Sequence, residues 1–292
     1  MSNINEEVPK SIGWSCAVTE DLHLGQISSL LTLAQISSNS NTSLKILLDD
    51  SDYTLKPNRK LIDTNFINLT SKISNILQNL NIQNVSFHKS TDVRNNENFV
   101  NDFYKLISVT SEQDAFKCLD KHDDVKMGDL LVPVIKFLDF VHLDVDKVVY
   151  NNEKYIRLGE GNKDVLDLEK DIGFIFSGTI FDNKKNKMTF FDKMSAIWIC
   201  ESEKSISKKI NKYFCEEGNV DCYVFEIYEH VIFKFYEMKK KILEIDRDGE
   251  TLKIESIEEL KDLFRNKKIH PSDLKNNCSR IITSIFAQFN IK

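Results

Sequence analysis

Apolar residues recur along this chain in two rhythms. Lys45-Ile46-Leu47-Leu48 is a short apolar run closed by Asp49-Asp50, the pattern of a buried strand. Phe66, Leu69, Ile73, Ile76, Leu77 and Leu80 recur at three- and four-residue steps, which predicts a long helix that Asp63 or Thr64 could cap. Ile27–Ile36, Phe99–Leu106, Ala115–Leu119 and Asp129–Phe140 also suit helices, the last opening near Pro133. Asn84–His88, Val145–Tyr150, Lys154–Leu158 and Ile172–Phe176 suit short strands, and Phe181–Lys193 reads as a basic loop. Helices alternating with short apolar strands predict an α/β domain with a mostly parallel sheet. From Ser202 onward helices dominate: Ile206, Ile210, Tyr213 and Phe214 share one face, Ile257–Phe264 is a short helix, and Leu274, Cys278, Ile281, Ile285 and Phe289 stripe the last one. A domain boundary is expected near residue 200, after a tail over 1–10 expected to be disordered.

Composition narrows the class. Nine glycines and four prolines in 292 residues exclude collagen-like and linker-like chains and leave few glycine-rich phosphate loops. A net charge of −6 argues against a chain wrapped in nucleic acid, and DNA is not an expected partner. Local basic runs remain: lysines 184, 185, 187 and 193, then 204, 208, 209 and 212, then 239–241. Solvated faces explain most such runs, although together these could follow an RNA backbone. Six scattered cysteines and six scattered histidines show no zinc spacing, so no metal is expected and the thiols read as free and buried. The N-terminal ten residues lack an apolar core, and no apolar run reaches membrane-spanning length, so a cytoplasmic protein without membrane contact is expected.

His23-Leu24-Gly25-Gln26 opens a predicted helix, where a histidine and a close-packed glycine can face a phosphate. Later segments add to it in a fixed order. They are Ile46–Leu55 (ILLDDSDYTL), Tyr104–Ser108 (YKLIS), Leu130–Lys136 (LLVPVIK), Lys187–Phe191 (KMTFF), Phe214–Val220 (FCEEGNV) and Ile269–Asn276 (IHPSDLKN). In that order and spacing the chain resembles the tyrosyl-tRNA synthetase family of archaeal and eukaryotic-cytosolic type, over about residues 11–292. The segments are similar to the family's "HIGH", "ILLADLHAYL", "YRLSS", "LLYPGLQ", "KMSSS", "FCEPGNV" and "LHPxDLKN". The resemblance implies a Rossmann-type domain over 11–200 with a helical insert at about 99–140. A small α-helical anticodon-binding-like domain over 201–292 would follow.

It also implies roles. His23, Gly25, Lys187 and Met188 fall at the ATP site, with Gln26 in place of the second motif histidine. Lys136, Asp139 and Glu153 fall in the amino-acid pocket, and His270, Asp273 and Lys275 at the anticodon site. The departures are as informative. The first-strand tyrosine that meets the substrate phenol aligns with Gly13 or Ser11, and the "LLYPGLQ" tyrosine and glutamine are Val132 and Lys136. The paired glycines of "GGxDQRK" are Tyr150 and Asn151. "TGK" is Thr19-Glu20-Asp21, two acids beside a would-be phosphate. The anticodon-loop aromatic is Asp248, and the small residues after Met188 include Phe190 and Phe191. A second KMS, Lys193-Met194-Ser195, would break the gapless spacing to Cys215 and reads as coincidence.

These losses point to a catalytically inactive pseudo-synthetase without a cofactor. Its partners would be RNA (tRNA or ribosomal), a synthetase-like subunit, or both, with homo- or hetero-dimerisation through about 99–140. Two other readings stand beside it: a divergent active tyrosine–tRNA ligase using ATP-Mg through His23, Gln26 and Lys187, and a protein scaffold without RNA contact. Residue chemistry alone also leaves open that His23 only caps or packs, that Asp139 pairs with Lys136, and that HPSDLK is a helix start capped by Ser272 or Asp273.

Overall fold

The structure, a computed structural model, describes residues 9–37, 42–50, 59–119, 124–151, 163–166, 172–189, 192–247 and 249–289. In chain order the elements begin with β1 (Ser11–Ala17), α1 (Leu24–Ser37), β2 (Ser43–Asp49), α2 (Arg59–Asn79), β3 (Val85–Lys89) and α3 (Ser90–Arg94). Next come α4 (Glu97–Val109), α5 (Glu112–Lys117), α6 (Met127–His142), β4 (Lys147–Tyr150), a 3-10 turn (Lys163–Leu166) and β5 (Gly173–Phe176). The remainder is α7 (Glu203–Ile210), α8 (Val224–Ile227), a π-helical stretch (Tyr228–Phe233), α9 (Lys234–Met238), β6 (Leu243–Arg247), β7 (Glu250–Ile254), α10 (Ile257–Arg265) and α11 (Pro271–Gln288).

By contacts the chain divides into two compact units. One comprises Met1–Val18, Asn39–Phe66 and Asn84–Phe176, the other Thr19–Ser38, Ile67–Gln83 and Ser177–Lys292. The first unit holds a five-stranded sheet in the order β3-β2-β1-β4-β5. Every pairing is parallel, with Trp14 of β1 opposite Ile46 and Val149. This is the doubly wound order, and its inner strands are apolar on both faces, as Ile46, Leu47 and Leu48 show. Asp146 fixes the start of β1 by accepting from the Ser11 N–H at 2.7 Å and its hydroxyl at 3.1 Å. The Lys45 ammonium donates at 2.9 Å to the Leu143 and Asp144 carbonyls just past α6. A second core forms where α4 meets α6 through Phe99, Leu106, Val134, Phe137 and Leu138.

Several local expectations need correction. α2 starts at Arg59, so Asp63 and Thr64 lie inside the helix, and Asp63 instead accepts from Lys89 at 2.8 Å. α6 starts at Met127, so Pro133 is internal and supplies no N–H to the turn before it. Pro9 and Lys10 are held, their carbonyls accepting from Thr42 Oγ1 and Ser43 N–H, while residues 1–8 lie outside the described set. The expected strand Lys154–Leu158 also lies outside it.

In the second unit β6 and β7 form an antiparallel hairpin within the helical C-terminal half. Asn277 of α11, 4% exposed, sews it down by accepting from Asp246 N–H and donating to the Asp246 carbonyl. Another buried cluster surrounds Ser177. Lys234 of α9 donates to the Ser177 carbonyl at 2.8 Å and to Thr32 Oγ1 at 2.7 Å, and Ser28 and Ser29 of α1 also bond Ser177. No helix among the described residues is long and apolar enough to cross a membrane.

Burial pushes the Lys234 ammonium down to about 8, with Glu229 pulling the other way. A base with a depressed folded-state pKa is bound to more protons when unfolded, so stability should rise with pH between about 8 and 10.5. Chemical denaturation of the wild type and Lys234→Met across pH 7.5–10 checks this. The wild type should gain on the order of 2 kcal/mol relative to the variant over that range. Parallel curves would refute it.

Candidate functional site

The second unit carries the HLGQ segment. Leu24 begins α1, so His23 is its N-cap. A helix start leaves its first N–H groups without helical partners, and anion sites use them. Here the Leu24, Gly25 and Gln26 N–H groups are all taken from within the chain, and Ile27 N–H makes the first ordinary helical bond. Leu24 N–H donates to the Ile197 carbonyl at 2.9 Å, and Gly25 N–H to His23 Nδ1 at 3.2 Å. Gln26 and Ile27 N–H both donate to the His23 carbonyl, at 2.9 and 3.2 Å. Gln26 Oε1 returns to accept from His23 N–H at 3.0 Å. His23 and Gln26 thus cap the helix reciprocally, the imidazole on Gly25 N–H and the Gln26 side chain on His23 N–H, a variant of the capping box shifted by one residue. His23 is 4% exposed, with Trp198 edge-on to its ring at 5.8 Å. Burial, helped by the Lys187 charge, pushes the imidazole down to about 3, so it is neutral at physiological pH. A Cβ on Gly25 would lie 3.1 Å from this ring, so the glycine makes room for the cap.

The KMTFF segment folds beside it. Phe181 and Lys187 form an antiparallel bridge, and Met188, 3% exposed, places its carbonyl 3.9 Å from the same Gly25 Cβ position. Asp182 organises the turn between them: its carboxylate accepts from the Lys184 and Asn186 N–H groups and from Ser195 Oγ at 2.7 Å. Ser195 of the second KMS therefore closes the Asp182 turn, while Met194 is 79% exposed. Phe190 and Phe191 lie outside the described residues. Asp21, one of the two acids replacing "GK", accepts from Leu22 N–H at 2.9 Å and from the Lys72 ammonium at 2.7 Å, which balances its charge.

The first unit carries the residues assigned to the amino-acid pocket. Asp139, 1% exposed on α6, is held by Arg94 of α3 through a two-pronged pair, Nε to Oδ1 at 2.7 Å and Nη2 to Oδ2 at 2.6 Å. Lys136 is not its hydrogen-bonding partner; Lys136 Nζ lies 4.0 Å from Asp49, whose other oxygen is 3.5 Å from Arg94. Burial pushes the Asp139 carboxyl up to about 6 against the pull of Arg94. Thr91 and Ser90 anchor α3 to the Asp50 carboxylate, which sets the Arg94 approach. A small cavity of about 100 Å³ lies nearby, lined by residues including Trp14, Lys136, Phe140, Tyr150 and Asn151. It is smaller than the ~150 Å³ of an engineered cavity that takes benzene. A Cβ on Gly13, one of the two strand positions that align with the family's tyrosine, would lie 3.1 Å from Phe140 and 3.2 Å from Val145, so a side chain there would have to push these two aside. Glu153 lies outside the described residues.

At the C-terminal end His270 is the N-cap of α11, its Nδ1 accepting from Ser272 N–H at 3.2 Å. The cap is therefore His270 and not Ser272 or Asp273. His270 and Asp273, three residues apart, share a helix face, whereas Lys275 reaches the Asn211 carbonyl at 3.4 Å. Lys204, Lys208 and Lys212 are exposed at four-residue spacing along and just past α7, beside Phe214, which is 74% exposed. Over 99–140 the exposed apolar residues include Val100, Tyr104, Met127 and Val132. No cluster of metal-ligating side chains occurs among the described residues.

Arg94, Trp198, Lys72 and Asp182 were not singled out from sequence. Arg94 carried a signal: the chain has six arginines against 39 basic residues in all, and a two-pronged carboxylate partner calls for arginine.

A family model for class I tRNA synthetases (W and Y) matches residues 11–287. A protein named probable cytoplasmic tyrosine–tRNA ligase from Encephalitozoon cuniculi is 28% identical over 98% of this chain and 88% of its own length. A similarly named protein from Enterocytozoon bieneusi is 29% identical over 94% and 80%. Among solved structures, tyrosyl-tRNA synthetase from Archaeoglobus fulgidus, complexed with L-tyrosine, superposes with a TM-score of 0.83 at 19% identity, covering 98% of this chain and 91% of that one. A tryptophanyl-tRNA synthetase from E. cuniculi reaches 0.62 at 14% identity, covering 97% and 80%.

Removing Arg94 strands a buried carboxylate. Arg94→Ala should cost about 3–5 kcal/mol of stability at pH 7.5, and an Arg94→Ala/Asp139→Ala double variant should recover part of it. An acid whose folded pKa lies above its unfolded value near 3.9 holds its proton longer when folded, so its contribution falls as pH rises. The Arg94→Ala penalty should therefore be smaller at pH 5 than at pH 7.5. Equal penalties at both values, by urea denaturation, would contradict the pairing.

Proposed function

The chain belongs to the tyrosyl-tRNA synthetases of the class I W and Y group, and we propose that it is a member that no longer activates tyrosine. Its role in this reading is that of an RNA-contacting or synthetase-partner subunit. The carrying observation is the Arg94–Asp139 pair. In the family this aspartate reads the substrate phenol. Here both its oxygens already accept from a guanidinium, and opening a buried pair costs about 3–5 kcal/mol, more than a hundredfold in affinity. The filled α1 N-terminus and the neutral His23 support the same reading on the ATP side, because neutralising developing phosphate charge needs available donors and cations.

The RNA contact in this proposal uses the exposed lysine stripe of Lys204, Lys208 and Lys212 for phosphates, with Phe214 and His270 for bases and Asp273 for a base edge. The partner surface is the apolar face over about 99–140, and the compartment is the cytoplasm, as in the names of its relatives. The helical half from about residue 201 acts as the anticodon-domain remnant.

A second reading is favoured by one observation: the relatives covering nearly all of this chain carry the name tyrosine–tRNA ligase. Under it, His23, Gln26 and Lys187 bind ATP, and substrate displaces Arg94 from Asp139. Tyrosine-dependent pyrophosphate exchange with ATP-Mg separates the two. We expect none above background beside an active tyrosyl enzyme. Robust exchange that disappears in a His23→Ala/Lys187→Ala double variant would overturn the proposal. For the RNA half, filter binding to tRNA should be measurable at low salt and fall steeply as salt rises, and a Lys204/Lys208/Lys212 triple alanine variant should weaken it about tenfold or more. No binding at low salt would leave a protein scaffold.

A further inference from the structure

The second unit holds a cleft of about 570 Å³, a volume in the range of small-molecule sites. Its described lining residues do not include His23, Gly25, Lys187 or Met188. Three segments wall it: the Asp182 turn, the stretch from Tyr213 to Glu226, and α10 through Lys261 and Arg265. These walls brace one another. The Tyr213 hydroxyl donates to the Phe181 carbonyl at 2.7 Å, and the Phe181 ring packs on that of Tyr223 with centroids 4.7 Å apart. Phe225 meets Phe264 of α10 edge-on at 5.3 Å. The cleft is thus built into the core of this unit.

Most charged side chains in the walls already have partners. Asp182 holds its own turn, Glu226 lies 3.0 Å from His230, Lys261 pairs with Glu229 at 2.7 Å, and Arg265 pairs with Asp262. Asn183, Lys185 and Asp221 differ: among the described residues their side chains have no hydrogen-bond or ion-pair partner. Asn183 Oδ1 is buried all the same, and a buried amide oxygen without a donor is costly. With no bond to fix it, the amide can turn either its oxygen or its nitrogen to the cleft. Lys185 follows two residues on at a left-handed φ of +67°, a conformation that non-glycine residues seldom take.

These groups match the parts of one kind of molecule. A side-chain amide can bond the amino group and N7 of adenine together, as acceptor and donor. Tyr223, braced by Phe181, and Phe214, 74% exposed, offer aromatic faces to a base. Asp221 can accept from ribose hydroxyls, as carboxylates do at dinucleotide sites. Lys185 is the one cation of the walls, among the described residues, without an anionic partner, which suits a single phosphate group. We propose that this cleft binds a free adenine nucleoside monophosphate, at a site separate from the His23 and Lys187 positions. The proposal does not rest on whether the chain activates tyrosine.

The test uses the full chain with AMP as the probe. Isothermal titration should show saturable AMP binding with a dissociation constant below about 1 mM. IMP, whose ring carries an oxygen in place of the amino group, should bind about tenfold more weakly. Asn183→Ala should bring AMP down to the level of IMP, and Lys185→Ala should weaken both nucleotides to a similar extent. Irradiated 8-azido-AMP, mapped by mass spectrometry, should label peptides that hold Asn183, Phe214 or Tyr223. Absence of AMP binding would overturn the proposal, as would equal binding of AMP and IMP, or label confined to the peptide of His23. Binding of oligoadenylate without binding of AMP would overturn it in favour of an RNA site. The wild-type comparison of AMP with IMP, and the labelling, do not depend on whether either variant folds.

Discussion

A polar group buried without a hydrogen-bond partner costs free energy of the order of a whole hydrogen bond or more, so it is either satisfied by the chain, by water or by a ligand. A ligand site keeps donors and acceptors in reserve for its ligand. In this chain the groups at the family's site positions are satisfied from within. The first-turn N–H groups of α1 go to Ile197 and His23, Asp21 goes to Lys72, and both oxygens of Asp139 go to Arg94. The first unit is an ordinary doubly wound parallel sheet, and what differs within each unit is where its polar valences are used.

The surrounding structure agrees with that use. In the second unit Trp198 covers the His23 ring, and Ser195 closes the Asp182 turn that carries Lys187 and Met188. Lys234 secures the Ser177 backbone at the other end of the same segment. In the first unit Asp50 anchors α3 through Ser90 and Thr91, which delivers the Arg94 guanidinium to Asp139. In each unit these side chains are thus satisfied by partners from the same unit. Agreement of this kind across local and tertiary levels is what marks a single well-specified native state.

The sheet was legible because parallel strands buried on both faces read as short apolar runs, and Ile46-Leu47-Leu48 is such a run. Helix α2 was legible from its three- and four-residue period, but its start was not, because Asp63 looks like a cap and works as a surface partner of Lys89. The β6–β7 hairpin went unread although its signal is present. Leu243 and Ile245, then Leu252 and Ile254, alternate around Asp248-Gly249, a turn pair that hairpins favour. The site was legible as a set of motif positions. Its pairings were not: Asp139 and Arg94 are 45 residues apart, and only the packing of α3 against α6 brings them together. Lys136, three residues from Asp139 along the helix, was the natural guess from spacing and was the wrong partner.

His23 shows how a retained motif residue can be used by the fold itself. An imidazole has two nitrogens. Nδ1 here accepts from Gly25 N–H, which leaves Nε2 as the protonated nitrogen of a neutral ring. Burial, with the charge of Lys187 assisting, holds the pKa near 3, so the ring offers at most one neutral donor at physiological pH and no positive charge. Lys187 keeps a cation in the neighbourhood, but the same cation helps to keep the histidine neutral. The two motif residues therefore oppose one another electrostatically when no phosphate lies between them. A phosphate between them would reverse that sign by stabilising both charges at once. With the helix donors occupied and Gln26 bonded back to His23, this chain has settled the repulsion by using the histidine as a cap.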